Sequence, residues 1–239
     1  MILLNTMNNR FGEWYVPKFG PMWFRAFIGL TFYPYTLMVS GFIFMGTSFA
    51  DHIVISRSVI LFTTYVICLG ISAHSFDSFS SKNAPWGQYI KNKYLLIMGF
   101  LSLFFGILLS FRYALEYPYL LIAGIIEIFF IFSYNLELFN GFFHNNKWLA
   151  FATGSMPVVS GYLIQNGNSI IIFLLLFILG YSLIQIEIQA SRPYRSLKKN
   201  EKMDVQAITK YYEKILESVV LFSITFTILI LLSNIWKIF

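Results

Sequence analysis

Seven apolar runs, each long enough to cross a hydrocarbon layer, constrain this chain more than any other feature: 24–46, 54–76, 94–112, 118–138, 148–165, 169–188 and 218–236. A membrane helix needs about 20 mostly apolar residues. In lipid, every backbone polar group must find its partner within the protein, which a helix achieves alone. Short loops between long runs predict a helical bundle; a β-barrel would alternate polarity over segments of about ten residues. Arg57 sits in the first turn of the second run, where its long stem can snorkel to the headgroups. Composition agrees. Of 239 residues, 57% are hydrophobic, 20% aromatic and 12% charged, against roughly 25% charged in soluble domains. So few charges cannot cover a water-soluble surface, which excludes a soluble enzyme and a disordered chain. The single cysteine, Cys68, excludes a disulfide framework, and His52, His74 and His144 are too scattered for a zinc site. The expectation is an all-α, multi-pass integral protein of the cell membrane.

Residues 1–23 read as a cytoplasmic, interfacial segment lacking the apolar core of a signal peptide. Trp14, Tyr15 and Trp23 look like interfacial anchors before a transmembrane domain over 24–239. Residues 200–217 read as a charged amphipathic helix leading into the last span. With seven crossings, Arg10, Lys18, Arg25, Lys82, Lys91, Lys93, Lys147, Arg192, Arg195, Lys198, Lys199, Lys202, Lys210 and Lys214 share one side. Only Arg57, Arg112 and Lys237 fall on the other. The positive-inside rule makes the first side cytoplasmic, together with the N-terminus. This asymmetry accounts for the net charge of +6, so a nucleic-acid partner is not expected.

Polar residues inside spans are costly, roughly 2.5–3.5 kcal/mol for a charge near the bilayer centre on insertion scales. Here they gather at the cytoplasmic ends of the even-numbered spans. The second ends in Ala73-His74-Ser75-Phe76-Asp77. The fourth ends in Tyr134-Asn135-Leu136-Glu137, ahead of a loop with His144. The sixth ends in Gln185-Ile186-Glu187, then Ser191-Arg192-Pro193-Tyr194-Arg195. His74 and Asp77, three apart, can share one face of a helical turn. Carboxylates with an amide suit Mg²⁺, a hard cation that prefers oxygen, and the basic run from 192 to 199 suits phosphate. Such a mouth could hold an anionic headgroup while an apolar tail lies among the helices. Plainer readings stand beside these: solvated acids at helix ends, a basic run attracted to anionic membrane lipids, and a satisfied polar histidine. Glu127 differs, because it falls well inside the fourth span and must be neutral or paired there.

The segment at 73–77, Tyr134-Asn135-Leu136-Glu137-Leu138-Phe139, Gly154-x-x-Pro157-x-x-x-Gly161-Tyr162 and Ser191-x-Pro193-x-Arg195 together resemble the UbiA superfamily of intramembrane prenyltransferases. The likeness is greatest to a branch whose first motif reads Ala-His-x-x-Asp, and it spans roughly residues 20–200. It implies a bundle of helices around a central, laterally open cavity, nine in the family against seven runs here. It also implies transfer of a polyprenyl group from its diphosphate to an aromatic or lipid acceptor, with Mg²⁺ held by two aspartate-rich segments. The family's first segment, Asn-Asp-x-x-Asp-x-x-x-Asp, falls on Ala73, His74, Asp77 and Ser81, and the second on Glu187 and Ser191, so few carboxylates remain.

From this likeness Asp77, Glu187 and Glu137 are the expected metal ligands. Asp77, His74 and Glu187 are the expected catalytic set. Tyr134, Asn135, Glu137, Lys91, Arg192, Arg195 and Lys198 are the expected substrate contacts. The competing expectation is a non-catalytic relative that binds an isoprenoid lipid, or scaffolds a membrane partner subunit on the side left open by absent helices.

Overall fold

The computed structural model describes residues 10–81, 86, 89–198 and 206–236. Lys82, Lys199, Lys202 and Lys237, used above for orientation, lie outside the described residues, as do 1–9 of the N-terminal segment and 200–205 of the expected amphipathic helix. No strand occurs among the described residues. The helices are α1 (Met22–Thr47), α2 (Ile55–Ser80), α3 (Asn92–Glu116), α4 (Pro118–Asn135), α5 (residues 146–163), α6 (Ile170–Lys198) and α7 (Gln206–Trp236). Five of these, α1 to α4 and α6, are long and apolar enough to cross a membrane. The other two fall on the fifth and seventh apolar runs. The expected amphipathic stretch, from 206 onward, is continuous with α7 rather than a separate element.

α5 stands at the centre: every residue from Met156 to Leu163 is buried. It can stand there because two of its glycines let neighbouring backbones touch it. A Cβ at Gly161 would lie 2.0 Å from the Ile43 carbonyl oxygen of α1, and one at Gly46 would lie 1.7 Å from the Val158 carbonyl oxygen. On the opposite flank, Gly154 and Gly180 of α6 face each other, each placing a Cβ 2.3 Å from the other's carbonyl oxygen. Small residues at helix crossings allow this close approach, which brings van der Waals packing along the whole crossing. Val39, Phe42 and Ile43 of α1, Val158 and Val159 of α5, and Ile184 of α6 fill the resulting core. The Gly-x-x-Pro-x-x-x-Gly pattern is thus a packing signature.

At the end of the bundle where α2 begins, polar side chains close the core. Gln165 Nε2 donates to Ser58 Oγ at 2.8 Å, its Oε1 accepts from the Val54 backbone at 2.8 Å, and Ser58 bonds Thr47 at 2.8 Å. α7 packs outside, against α1 and α6, where Thr227 Oγ1 donates to the Gly41 carbonyl at 3.4 Å.

At the opposite end the N-terminal segment folds onto the bundle. Phe11, Tyr15 and Val16 pack with Leu30, Trp86 and Leu95. Trp23 is exposed as an anchor would be, but Tyr15 is 7% exposed and belongs to this cluster. Burial, with Glu13 adding and Arg10 and Arg195 opposing, pushes its phenol up to about 12, so it stays neutral. Glu13 clasps α6: its Oε2 accepts from Lys198 Nζ at 2.8 Å and from the Tyr194 hydroxyl at 2.9 Å.

Replacing Gly161 with valine should separate α5 from α1 and cost about 1–3 kcal/mol of overpacking strain. The melting midpoint in detergent should fall by several degrees. Gly124, whose Cβ would meet nothing within 4 Å, should accept alanine with no such fall.

Candidate ligand-binding site

A single cavity of about 300 Å³ runs between α1, α2, α3, α4, α5 and α6, and its wall contains Asp77, Asn135 and Glu187 together. The convergence expected from three separate helix ends therefore holds. The same wall includes His74, Tyr134, Arg192 and Arg195. Three of the expected residues are not in it. Glu137 is exposed: α4 ends at Asn135, and the chain turns through left-handed backbone at Glu137, φ 50°, which carries the carboxylate outward. Lys91 is exposed at the residue preceding α3. Lys198 is held by Glu13 in the ion pair at 2.8 Å.

Local geometry explains why these positions meet. α6 does not end near Ile188 but continues through Pro193 to Lys198, so the basic run is helical. Glu187, Ile188, Ser191, Arg192 and Arg195 recur at the three-to-four spacing of one helix face, and all five line the cavity. In α2 the backbone widens into a π-helical stretch at Cys68–Ala73. One additional residue in a turn rotates everything after it by about 100°. Tyr65 and Asp77, about 120° apart on an uninterrupted helix of 3.6 residues per turn, are thereby brought to one face, and both line the cavity. A second π-helical stretch, Phe151–Ser155 in α5, contributes Ala152 and Thr153 to the wall. In α1, Phe32 adopts left-handed backbone at φ 41°. The kink sets its ring in the wall, stacked on Tyr35 at 5.5 Å and tilted towards His74 at 6.0 Å.

The polar groups at the mouth are held individually. His74 Nδ1 donates to the Gly70 carbonyl at 3.3 Å, since a carbonyl oxygen can only accept. Ser80 Oγ donates to the Asn135 carbonyl at 2.5 Å, joining the ends of α2 and α4. His144 donates from Nδ1 to the Tyr134 carbonyl at 2.9 Å, and the two rings stack at 4.5 Å. Behind that loop Phe130 meets Phe143, Trp148 and Phe151 at 5.1–5.7 Å, an aromatic cluster that fixes the approach to α5. Tyr35 bonds Thr153 at 2.8 Å across α1 and α5. Glu187 is 5% exposed, with Arg195 and Arg192 the cations acting on it, and Ser191 Oγ donates to the Ile188 carbonyl at 3.5 Å. Arg192 also donates to Asn146 at 2.7 Å. The Asp77 carboxylate accepts no hydrogen bond among the described residues.

Arg10, also in the wall, counts in the sequence only as a topology charge; nothing in the primary pattern shows that the N-terminal segment folds back to this point. Ser78, 3% exposed and in the wall, has a hydroxyl without a partner among the described residues. The depth of the cavity carries Tyr65 and Glu127, of which only Glu127 stands out in the sequence.

For Mg²⁺ the fit is poor. Asp77 and Glu187 share the cavity, Glu137 is outside it, and no group of three His, Cys, Asp or Glu that could hold a metal ion occurs among the described residues. Cationic charge is supplied by Arg10, Arg192 and Arg195 instead. No protein-family profile matches the chain, and no curated protein or solved structure matches it either.

The mouth should admit water while the interior does not. In a Cys68→Ser background, Ser81→Cys, at the mouth, should react with a sulfonated maleimide. Native Cys68, set deeper in the cavity near Glu127, should resist the same reagent. Equal labelling rates would contradict this layout.

Proposed function

We propose that the protein is a multi-pass membrane protein, spanning seven times with its cavity mouth on the cytoplasmic side of the cell membrane, that takes a polyprenyl diphosphate into this cavity as a UbiA-like prenyltransferase. The observation that carries the reading is one continuous cavity, lined by Arg10, Arg192 and Arg195 with Asp77, Asn135 and Glu187, and deeper in by Leu69, Leu103, Ile107 and Ile128. An amphiphile with an anionic head and an apolar tail is the ligand complementary to that wall. Charge-assisted hydrogen bonds from guanidinium to phosphate are the strong ones, and arginine presents them in pairs.

In this reading the allylic C–O bond breaks with its electron pair leaving on the diphosphate. The arginines stabilise that charge where it develops. The acceptor's nucleophile then bonds to the allylic carbon and releases a proton, for which Asp77, whose carboxylate has no competing donor among the described residues, is the base. His74, whose Nδ1–H is held by the Gly70 carbonyl and whose ring faces Phe32, lines the site beside Asp77. Without a third carboxylate, no step is assigned to Mg²⁺.

A second reading, binding of an isoprenoid lipid without turnover, is favoured by the same shortage of carboxylates. One experiment separates them. Purified protein is mixed with labelled geranylgeranyl diphosphate, with and without Mg²⁺, and both binding and diphosphate release are followed. Prenyl transfer requires release by wild type and its loss in Asp77→Asn; binding without release from either supports the lipid-binding reading. In both readings Arg192→Ala with Arg195→Ala should weaken binding at least about tenfold, given about 1.5–3 kcal/mol per hydrogen bond to a charged group. Unchanged affinity would remove the diphosphate from the site.

A further inference from the structure

Far from the mouth, the cavity has a second polar feature that the diphosphate reading leaves unused. Glu127 stands eight residues before Asn135 on α4, about 12 Å deeper at 1.5 Å per residue. It is a junction of three helices. Tyr65 of α2 and Ser160 of α5 both donate to Oε1, the latter at 3.0 Å. A 3.4 Å contact between the Tyr65 and Ser160 hydroxyls closes the triangle. The other carboxyl oxygen, Oε2, takes no hydrogen bond from the described residues, although Glu127 is part of the cavity wall. The wall also includes Cys68, Leu103, Ile107 and Ile128, with Thr64 and Ser110, whose hydroxyls donate to carbonyls of their own helices. No salt bridge among the described residues involves it.

A junction that served only to pin three helices would not need a carboxyl. Two donors on Oε1 fix the group, and the remaining oxygen is left as a hydrogen-bonding position inside the bundle, where an unmet polar group is costly. The group that satisfies it in either protonation state is a hydroxyl, which donates to a carboxylate and accepts from a carboxylic acid.

We infer that the deep end of the cavity is a subsite for the hydroxyl of an apolar alcohol or phenol, seated on Glu127 and oriented by Tyr65 and Ser160. The chain of such a ligand lies along the apolar wall. This subsite shares the apolar wall with the prenyl tail but uses none of the arginines assigned to the diphosphate, so the hydroxyl and headgroup assignments can fail separately.

The test compares farnesol with farnesene, which share a carbon skeleton and differ in the hydroxyl. Each is titrated into the full-length protein in lipid nanodiscs, with empty nanodiscs subtracted for partitioning. Wild type should bind farnesol about fivefold more tightly, the scale of one net hydrogen bond. Glu127→Leu should abolish that preference, farnesol then binding no more tightly than farnesene. Tyr65→Phe should reduce the preference part of the way. Equal affinity of wild type for farnesol and farnesene overturns the inference, as does a preference that survives Glu127→Leu. Should Glu127→Leu fail to fold, the wild-type ratio decides by itself.

Discussion

The bundle is organised by backbone touching backbone. Gly46 and Gly161 let α1 lie directly on α5, and Gly154 with Gly180 does the same for α5 and α6. With α5 held between them, α2, α3 and α4 complete the enclosure on the remaining side and the space left between is the cavity. Larger residues at these four positions would push α5 outward, and the walls of the cavity would no longer hold their spacing. In an apolar solvent this kind of contact is a principal source of helix association, because burial against lipid tails offers no hydrophobic gain.

Polarity inside that frame is graded. Guanidinium groups from the N-terminal segment and from α6 stand with Asp77 and Asn135 at one end. The middle is aliphatic and aromatic. A single carboxyl, fastened by a phenol and a hydroxyl, occupies the depth. The order matches what desolvation demands: exposed charges stay near water, and the acid that is taken inside arrives with two donors already supplied.

Much of this was legible in the chain. Apolar runs marked where α1 to α7 lie among the described residues, because length and hydropathy are local properties. The meeting of Asp77, Asn135 and Glu187 followed from alternation, which returns every second helix end to the same face. Glu137 misled because the left-handed turn after Asn135 leaves no signal in Tyr-Asn-Leu-Glu, where glycine would have announced it. Lys198 looked free because its partner, Glu13, is 185 residues away in sequence. Arg10 was invisible for the same reason, since only the folded N-terminal segment brings it to the mouth. The helical continuation of α6 across Pro193 was hidden too: a proline reads locally as a boundary, yet tertiary contacts at Tyr194 and Lys198 carry the helix past it.

The widened turn at Cys68–Ala73 has one more implication. It acts as a phase shifter, so the two halves of α2 answer to different requirements: the earlier half to the acid inside, the later half to the arginine-lined mouth. Removing one residue from that turn would leave length, hydropathy and caps nearly untouched, yet swivel His74 and Asp77 away from their neighbours as a unit. Function in this helix is stored in its rotational register as much as in the identity of its side chains.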